Sequence, residues 1–496
     1  MNLSRVGRIM ETRQEHRKSI PWIFVAVLGG LALAGCNGGP PGSVGGAGGG
    51  GGGGAASIER VSVASDGTQG ISQSLLAAIS GNGRFVVFVS DSSNLVSADT
   101  NGVADVFLRD TCAGAAGCTP STARVSVATD GTQGNAASSL PAISSSGRFT
   151  VFVSDSNTLV SADTNGVADV FLRDTCQGAA GCTPSTTRLS VATDGTQGNA
   201  ASSFPAISAD GRFVAFASSA NTLVASDTNG VVDVFVRDTC FGAAGCTPST
   251  ARVSLASDGT QANADSTLPR LSGNGRFVVF QSGANNLVSG DSNGTVDIFL
   301  RDTCQGAAGC VVSTTRVSVA SDGSQAVGVS AFPALSSNGR FIAFTSNAAN
   351  LVASDTNGVE DVFLRDTCQG AAGCTPSTGR VSVSTSGIQA SSGSGFAAIS
   401  STGRFVAFES AASELVSGDT NALSDIFVRD TCAGAGGCTP STIRVSVASN
   451  GTQGNGGSIA AAIDDSGGIV CFESTASNLV SNDTNGVRDI FRVTGF

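Results

Sequence analysis

Along most of this chain the apolar residues come in short runs on consecutive positions, such as Phe213-Val214-Ala215-Phe216-Ala217, separated by stretches of Gly, Asn, Asp, Ser and Thr. Runs this short with glycine at their borders predict strands, and consecutive rather than alternating apolar positions predict strands covered on both faces. In the same stretch Phe204-Pro205-Ala206-Ile207-Ser208 reads as a preceding strand, and Ala209-Asp210-Gly211 as the tight turn that joins the two in a hairpin. A loop then leads to a third strand, Asp233-Val234-Phe235-Val236-Arg237-Asp238. Past a cysteine-bounded loop comes a fourth, Ala251-Arg252-Val253-Ser254-Leu255.

The whole pattern repeats. The block Asp-Thr-Asn-Gly starts at Asp99 and returns, intact or nearly so, at Asp163, Asp227, Asp291, Asp355, Asp419 and Asp483, each time 64 residues on. Self-similarity at a fixed period means that each copy buries its apolar faces on its neighbours. Four short antiparallel strands in seven copies predict an all-β fold, a seven-bladed β-propeller. The ends agree with closure: the last copy stops after its third strand, Asp489-Ile490-Phe491-Arg492-Val493, while a spare strand, Arg60-Val61-Ser62-Val63, precedes the first. The N-terminal strand therefore closes the last blade and removes a free sheet edge. The domain limits expected are 1–35 for a leader, 36–57 for a tether and 58–496 for the propeller.

The segment Ser208-Ala209-Asp210-Gly211-Arg212-Phe213-Val214-Ala215-Phe216, with its copies, resembles the repeat of TolB-like, WD-repeat-like bacterial propellers. The resemblance covers nearly the whole chain after the leader. It implies a protein-binding platform; some related propellers carry hydrolases or lyases. The chain departs from TolB itself in lacking the extra N-terminal α/β domain, so that protein's periplasmic partners are not carried over.

Composition narrows the chemistry. The only His (His16), Lys (Lys18) and Trp (Trp22) and both Met lie in the leader, and there is no Tyr. The commonest general acids and bases and the usual transition-metal ligand are thus missing from the repeats, as are the aromatic platforms that stack on sugars. The expectation is a chain that is not an enzyme. Removing the leader's five basic and two acidic residues from totals of 27 and 38 leaves 22 and 36, a net charge of about −14. That field repels phosphate backbones, so nucleic acid is excluded as a partner and cations or basic surfaces are favoured.

Basic residues precede an apolar run, Ile20 to Ala34, too short for a membrane span but suited to an export signal. The run ends in Leu33-Ala34-Gly35-Cys36, which resembles the lipobox of bacterial lipoproteins. That resemblance makes Cys36 the lipidated residue and the membrane a partner; Asn37 in place of Asp lacks the familiar inner-membrane retention signal, which favours the outer membrane. Gly38 to Ala56 is almost all glycine, a flexible tether with a reach of roughly 25 Å.

Six cysteine pairs each bracket five residues, most of them small: Cys112 with Cys118, Cys176 with Cys182, Cys240 with Cys246, Cys304 with Cys310, Cys368 with Cys374, and Cys432 with Cys438. In an exported chain such pairs read as local disulfides; a zinc site would need four ligands, and each loop offers two thiols and no histidine.

Two sets of candidate binding residues remain. Each Asp-Thr-Asn-Gly loop, with the aspartate that opens the third strand, collects three oxygen-bearing side chains: Asp99, Asn101 and Asp105; Asp163, Asn165 and Asp169; Asp227, Asn229 and Asp233; Asp291, Asn293 and Asp297; Asp355, Asn357 and Asp361; Asp419, Asn421 and Asp425; Asp483, Asn485 and Asp489. Such oxygens suit Ca2+, and the same residues serve equally as Asx turns and strand caps. The second candidate is Arg270, which replaces the alanine of other copies (Ala206, Ala334) on an inner strand and offers a cation to an anionic ligand. Glu409 and Glu473, near the ends of adjacent second strands, and Asp464-Asp465 are further departures from the repeat. The expected function is a lipid-anchored, extracytoplasmic scaffold of the cell envelope that binds protein through its acidic loop face. The alternative is a carboxylate-based hydrolase or lyase acting on envelope polysaccharide.

Overall fold

The computed structural model describes residues 56–496, and the leader, Cys36 and the tether up to residue 55 lie outside the described residues. Within them are seven four-stranded antiparallel sheets, 28 strands in all. Six sheets take their strands in chain order; the seventh joins Ser458–Ile463, Ile469–Ser474 and Asp489–Thr494 to the N-terminal strand Ser57–Arg60. The closing register pairs Ser57 with Thr494 and Arg60 with Phe491. This is the seven-bladed propeller expected, closed by the expected strand. The propeller holds every described strand and its own closure.

The second strands explain why the apolar positions run consecutively. All six residues of Phe85–Ser90 are buried, since each face of the sheet meets an adjacent blade. The apolar clusters accordingly lie between blades: Phe85, Val87 and Val89 of the first blade pack with Phe152 and Phe171 of the second. Within each blade a phenylalanine of the second strand opposes one of the third, as Phe88 does Phe107, with ring centroids 5.7–6.0 Å apart. Burying such a side chain stabilises by about 1.5–3 kcal/mol, so the ring of interfaces supplies the core. Cys471 is the one free thiol among the described residues and fills a valine's place in the interface between the last and first blades.

Strand limits differ from expectation where packing replaces pairing. The fourth strand of the third blade is Ser249–Arg252, not 251–255, and the closing strand is Ser57–Arg60, not 60–63. After Arg252 the chain leaves the sheet and Leu255 bridges back to Gln261, so Val253 is apolar because it is buried in the next interface. The hairpin turn before each second strand needs glycine twice over. Gly147 has φ +79°, and a Cβ there would lie 2.1 Å from the ring of Phe85 on the preceding blade.

Candidate functional site

On one face, the loops between second and third strands meet those that run on to the next blade. Gln133 Nε2 donates to Thr100 Oγ1 at 2.7 Å, and Asn101 Nδ2 donates to Gly134 O at 3.0 Å. Beneath them lies the carboxylate cluster. Asp105 Oδ1 accepts from Ser126 Oγ at 2.6 Å, and its Oδ2 accepts from Asn101 Nδ2 at 2.9 Å.

The positive charge at this cluster is a guanidinium from the fourth strand: Arg124 Nη1 lies 3.2 Å from both Asp99 Oδ1 and Asp105 Oδ2. All seven copies repeat this, with Arg60, Arg124, Arg188, Arg252, Arg316, Arg380 and Arg444 at 2.9–3.2 Å from the loop aspartate. The same arginines stand 3.1–3.7 Å from the strand aspartate. The structure thus brings together every Asp and Asn read as a calcium ligand, but turns the asparagine's amide N–H, not its oxygen, toward the strand carboxylate. Asn101 Oδ1 in turn accepts from Val103 N, as in an Asx turn. Burial, reinforced by the charge of Asp105, pushes Asp99 above the ordinary carboxylate pKa, and the arginine opposes it. Excess EDTA is therefore expected to leave the thermal melt unchanged; a drop of several degrees, restored by calcium, would return the ion to these loops.

Above the clusters, Asp66, Asp130, Asp194, Asp258 and Asp322 stand exposed on turns of the same face. Each accepts from a backbone N–H two residues on, at 2.9 Å, which holds its carboxyl below the usual value. Ser386 and Asn450 take this place in the remaining two copies, so the acidic ring is an arc of five.

The opposite face carries the hairpin turns and the disulfides. All six cysteine pairs are bonded, with Cα atoms 5.5–5.6 Å apart. The turn arginine does more than cover apolar surface with its stem: Arg84 Nε and Nη2 form a fork on Asp110 at 2.7 and 2.6 Å, and its guanidinium lies 4.7 Å from the Phe85 ring centre. Asp110 also accepts from Cys112 N at 2.8 Å, which ties the disulfide loop to the turn.

The inner strands surround the axis, and each carries a bulge that the sequence did not disclose. Leu76, Leu140, Phe204, Leu268, Phe332, Phe396 and Ala460 all have φ of 49–56°, the left-handed region that non-glycine residues avoid. In three blades a side chain of the preceding blade caps the bulge amide: Glu473 Oε1 accepts from Leu76 N at 2.7 Å, Gln281 Oε1 from Phe332 N at 3.1 Å and Glu409 Oε2 from Ala460 N at 2.8 Å. Burial raises both glutamates, Glu409 to about 7; Glu473 pushes Glu409 further up while Arg488, 3.2 Å from Glu473, pulls the other way.

At the far end of the inner strands, one turn residue per blade joins a series of six backbone hydrogen bonds. Ser145 N donates to Ala209 O, Ala209 to Gly273, Gly273 to Ser337, Ser337 to Ser401, Ser401 to Asp465 and Asp465 to Gly81, at 2.8–3.2 Å. Asp465 Oδ2 then accepts from Ser145 Oγ at 3.1 Å across Gly81, whose lack of a side chain leaves the room.

A testable consequence concerns Glu409. Its folded pKa of about 7 exceeds the unfolded value of 4.5, so the folded state holds the proton longer and stability falls as pH rises from 4.5 through 7. Glu409→Gln keeps the acceptor, as Gln281 shows in another blade, and removes the titration. The variant is expected to melt higher than the parent at pH 8, by an amount equivalent to about 3 kcal/mol, and to match it at pH 4. A pH-independent difference between the two would count against the assignment.

No family model and no curated protein matches this chain. Solved structures do. A putative TolB from Agrobacterium tumefaciens matches at 16% identity and TM-score 0.34, covering 62% of this chain and 80% of that one. An oligogalacturonate lyase from Vibrio parahaemolyticus matches at 12% identity and TM-score 0.45, covering 88% and 96%. An acylaminoacyl peptidase from Pyrococcus horikoshii matches at 9% and 0.43, covering 82% of this chain and 50% of that one. These likenesses are of fold alone. They correct the expectation that the chain is not an enzyme: a lyase and a peptidase are among the matches, so the fold does not set catalysis aside.

Proposed function

We propose that this protein is an extracytoplasmic scaffold that binds a basic protein surface through the face carrying the acidic arc. The observation that carries the reading is the set of five exposed aspartates, Asp66, Asp130, Asp194, Asp258 and Asp322, held ionised by their own turns and presented on one face. Complementary charge of this kind steers encounter and selects partners. Six disulfides belong to an oxidising compartment, which supports a position outside the cytoplasm. The lipid anchor at Cys36, and the outer membrane as its seat, extend the proposal on the strength of the leader alone.

The test compares envelope proteins captured by the parent propeller and by a variant with the five aspartates changed to asparagine. Proteins captured by the parent at low salt and lost by the variant are the expected result; an identical set from both would sink the reading. A second reading, acid–base chemistry on a polysaccharide, is favoured by one observation: Glu409, raised to about 7, stands beside Glu473 near the axis. A pKa near the working pH suits proton transfer. Turnover of envelope polysaccharide by the parent, lost in Glu409→Gln, is its signature.

A further inference from the structure

Arg270 puts a charge where the repeat otherwise puts a methyl group. The corresponding positions on the other inner strands hold Ala78, Ala142, Ala206, Ala334, Ala398 and Ala462. An inner strand borders its own second strand, the flanking blades and the axial channel, so the exposure of Arg270 is exposure to the channel. Among the described residues its one side-chain hydrogen bond is Nη1 to the carbonyl of Pro269, 2.9 Å away, and it makes no ion pair with them, whereas the arginines of the fourth strands and the hairpin turns all stand on carboxylates. Its side chain is exposed, yet the crowding of protein around it pulls its pKa down with no neighbouring charge to offset it.

At the far end of the inner strands the turn residues of the seven blades follow one another around the axis, joined by six backbone hydrogen bonds. Toward the acidic loops the inner strands present apolar side chains. Leu76 and Phe396 stand 39% and 41% exposed, and the Phe332 and Phe396 rings lie 4.5 Å apart.

We propose that this channel is a binding site for a small organic monoanion, a carboxylate on an apolar body, with Arg270 as its anchor. A planar guanidinium with free N–H groups matches a carboxylate in two parallel hydrogen bonds, and low local polarity strengthens the pair. The phenylalanine and leucine wall receives the apolar part. The acidic loops at the entrance select against multiply charged anions, because each further negative charge adds to the repulsion on entry. The site is independent of the protein-binding reading.

The test uses 4-fluorobenzoate and its neutral analogue 4-fluorobenzamide as probes, followed by fluorine NMR with the oxidised propeller. Arg270→Ala installs the residue that six other copies already carry, so the variant is expected to fold with an unchanged melt. The proposal expects saturable binding of one benzoate per chain, at least tenfold weaker binding of the amide and at least tenfold weaker benzoate binding in Arg270→Ala, with Arg270→Lys in between. Benzoate binding that is not detected at millimolar concentration, or that survives unchanged in Arg270→Ala, overturns it.

Discussion

Deleting Ser57–Arg60 is expected to cost this protein more than any single substitution, abolishing the cooperative melt of the parent and leaving a chain that associates through its open edge. Four residues have this weight because of what they close. The strand covers the edge of Asp489–Thr494, buries Ile58 in the interface with the sixth blade, and brings Arg60 to Asp483 and Asp489. Without it a row of unpaired backbone groups faces solvent, the kind of edge that recruits other chains. Size-exclusion chromatography and a thermal melt read the two effects. A synthetic peptide of residues 56–64 is expected to restore part of the melt by adding the strand in trans. A truncated chain that stays monomeric and melts like the parent would show that closure is not what holds the ring.

The second large effect is expected from Arg252→Leu. This arginine stands 2.9 Å from Asp227 and 3.1 Å from Asp233, with side-chain exposures of 8%, 6% and 1%. Removing one partner of a buried ionic group leaves charge uncompensated in a medium that solvates it poorly, which costs about 3–5 kcal/mol. Changing Asp227 and Asp233 to asparagine in the same chain removes that charge and is expected to return a good part of the loss, since replacing a whole buried group is milder than breaking it. Melting temperatures of the single and triple variants decide the matter. If the triple variant melts lower than the single one, the aspartates contribute something other than charge for Arg252.

The contrast between these predictions and the sequence reading shows what a repeat makes legible. The period, the four strands, the closing strand and the two chemically distinct faces all follow from local pattern, because consecutive apolar residues and glycine turns act within a few positions. Arg252 was legible as part of the fourth strand, but its partner Asp227 lies 25 residues upstream and meets it only after the third strand folds between them. An invariant arginine at the end of every fourth strand was the available signal. The loop oxygens lie around one cluster, while the cation among them comes from a strand outside the motif. The bulges at Leu76 and its six counterparts left no trace, because nothing in a leucine or phenylalanine announces a left-handed backbone.

The shared blade also bears on how such a chain changes over evolutionary time. The seam joins the two ends of the chain, and only those ends carry complementary parts: three strands on one side, the missing fourth on the other. Nothing in the seam depends on how many whole units lie between. Gain or loss of a 64-residue copy by unequal recombination leaves both halves intact, so the blade count is limited by the angle at which neighbouring sheets pack and not by the closure. A gene built this way can be lengthened or shortened in complete units without inventing a new end.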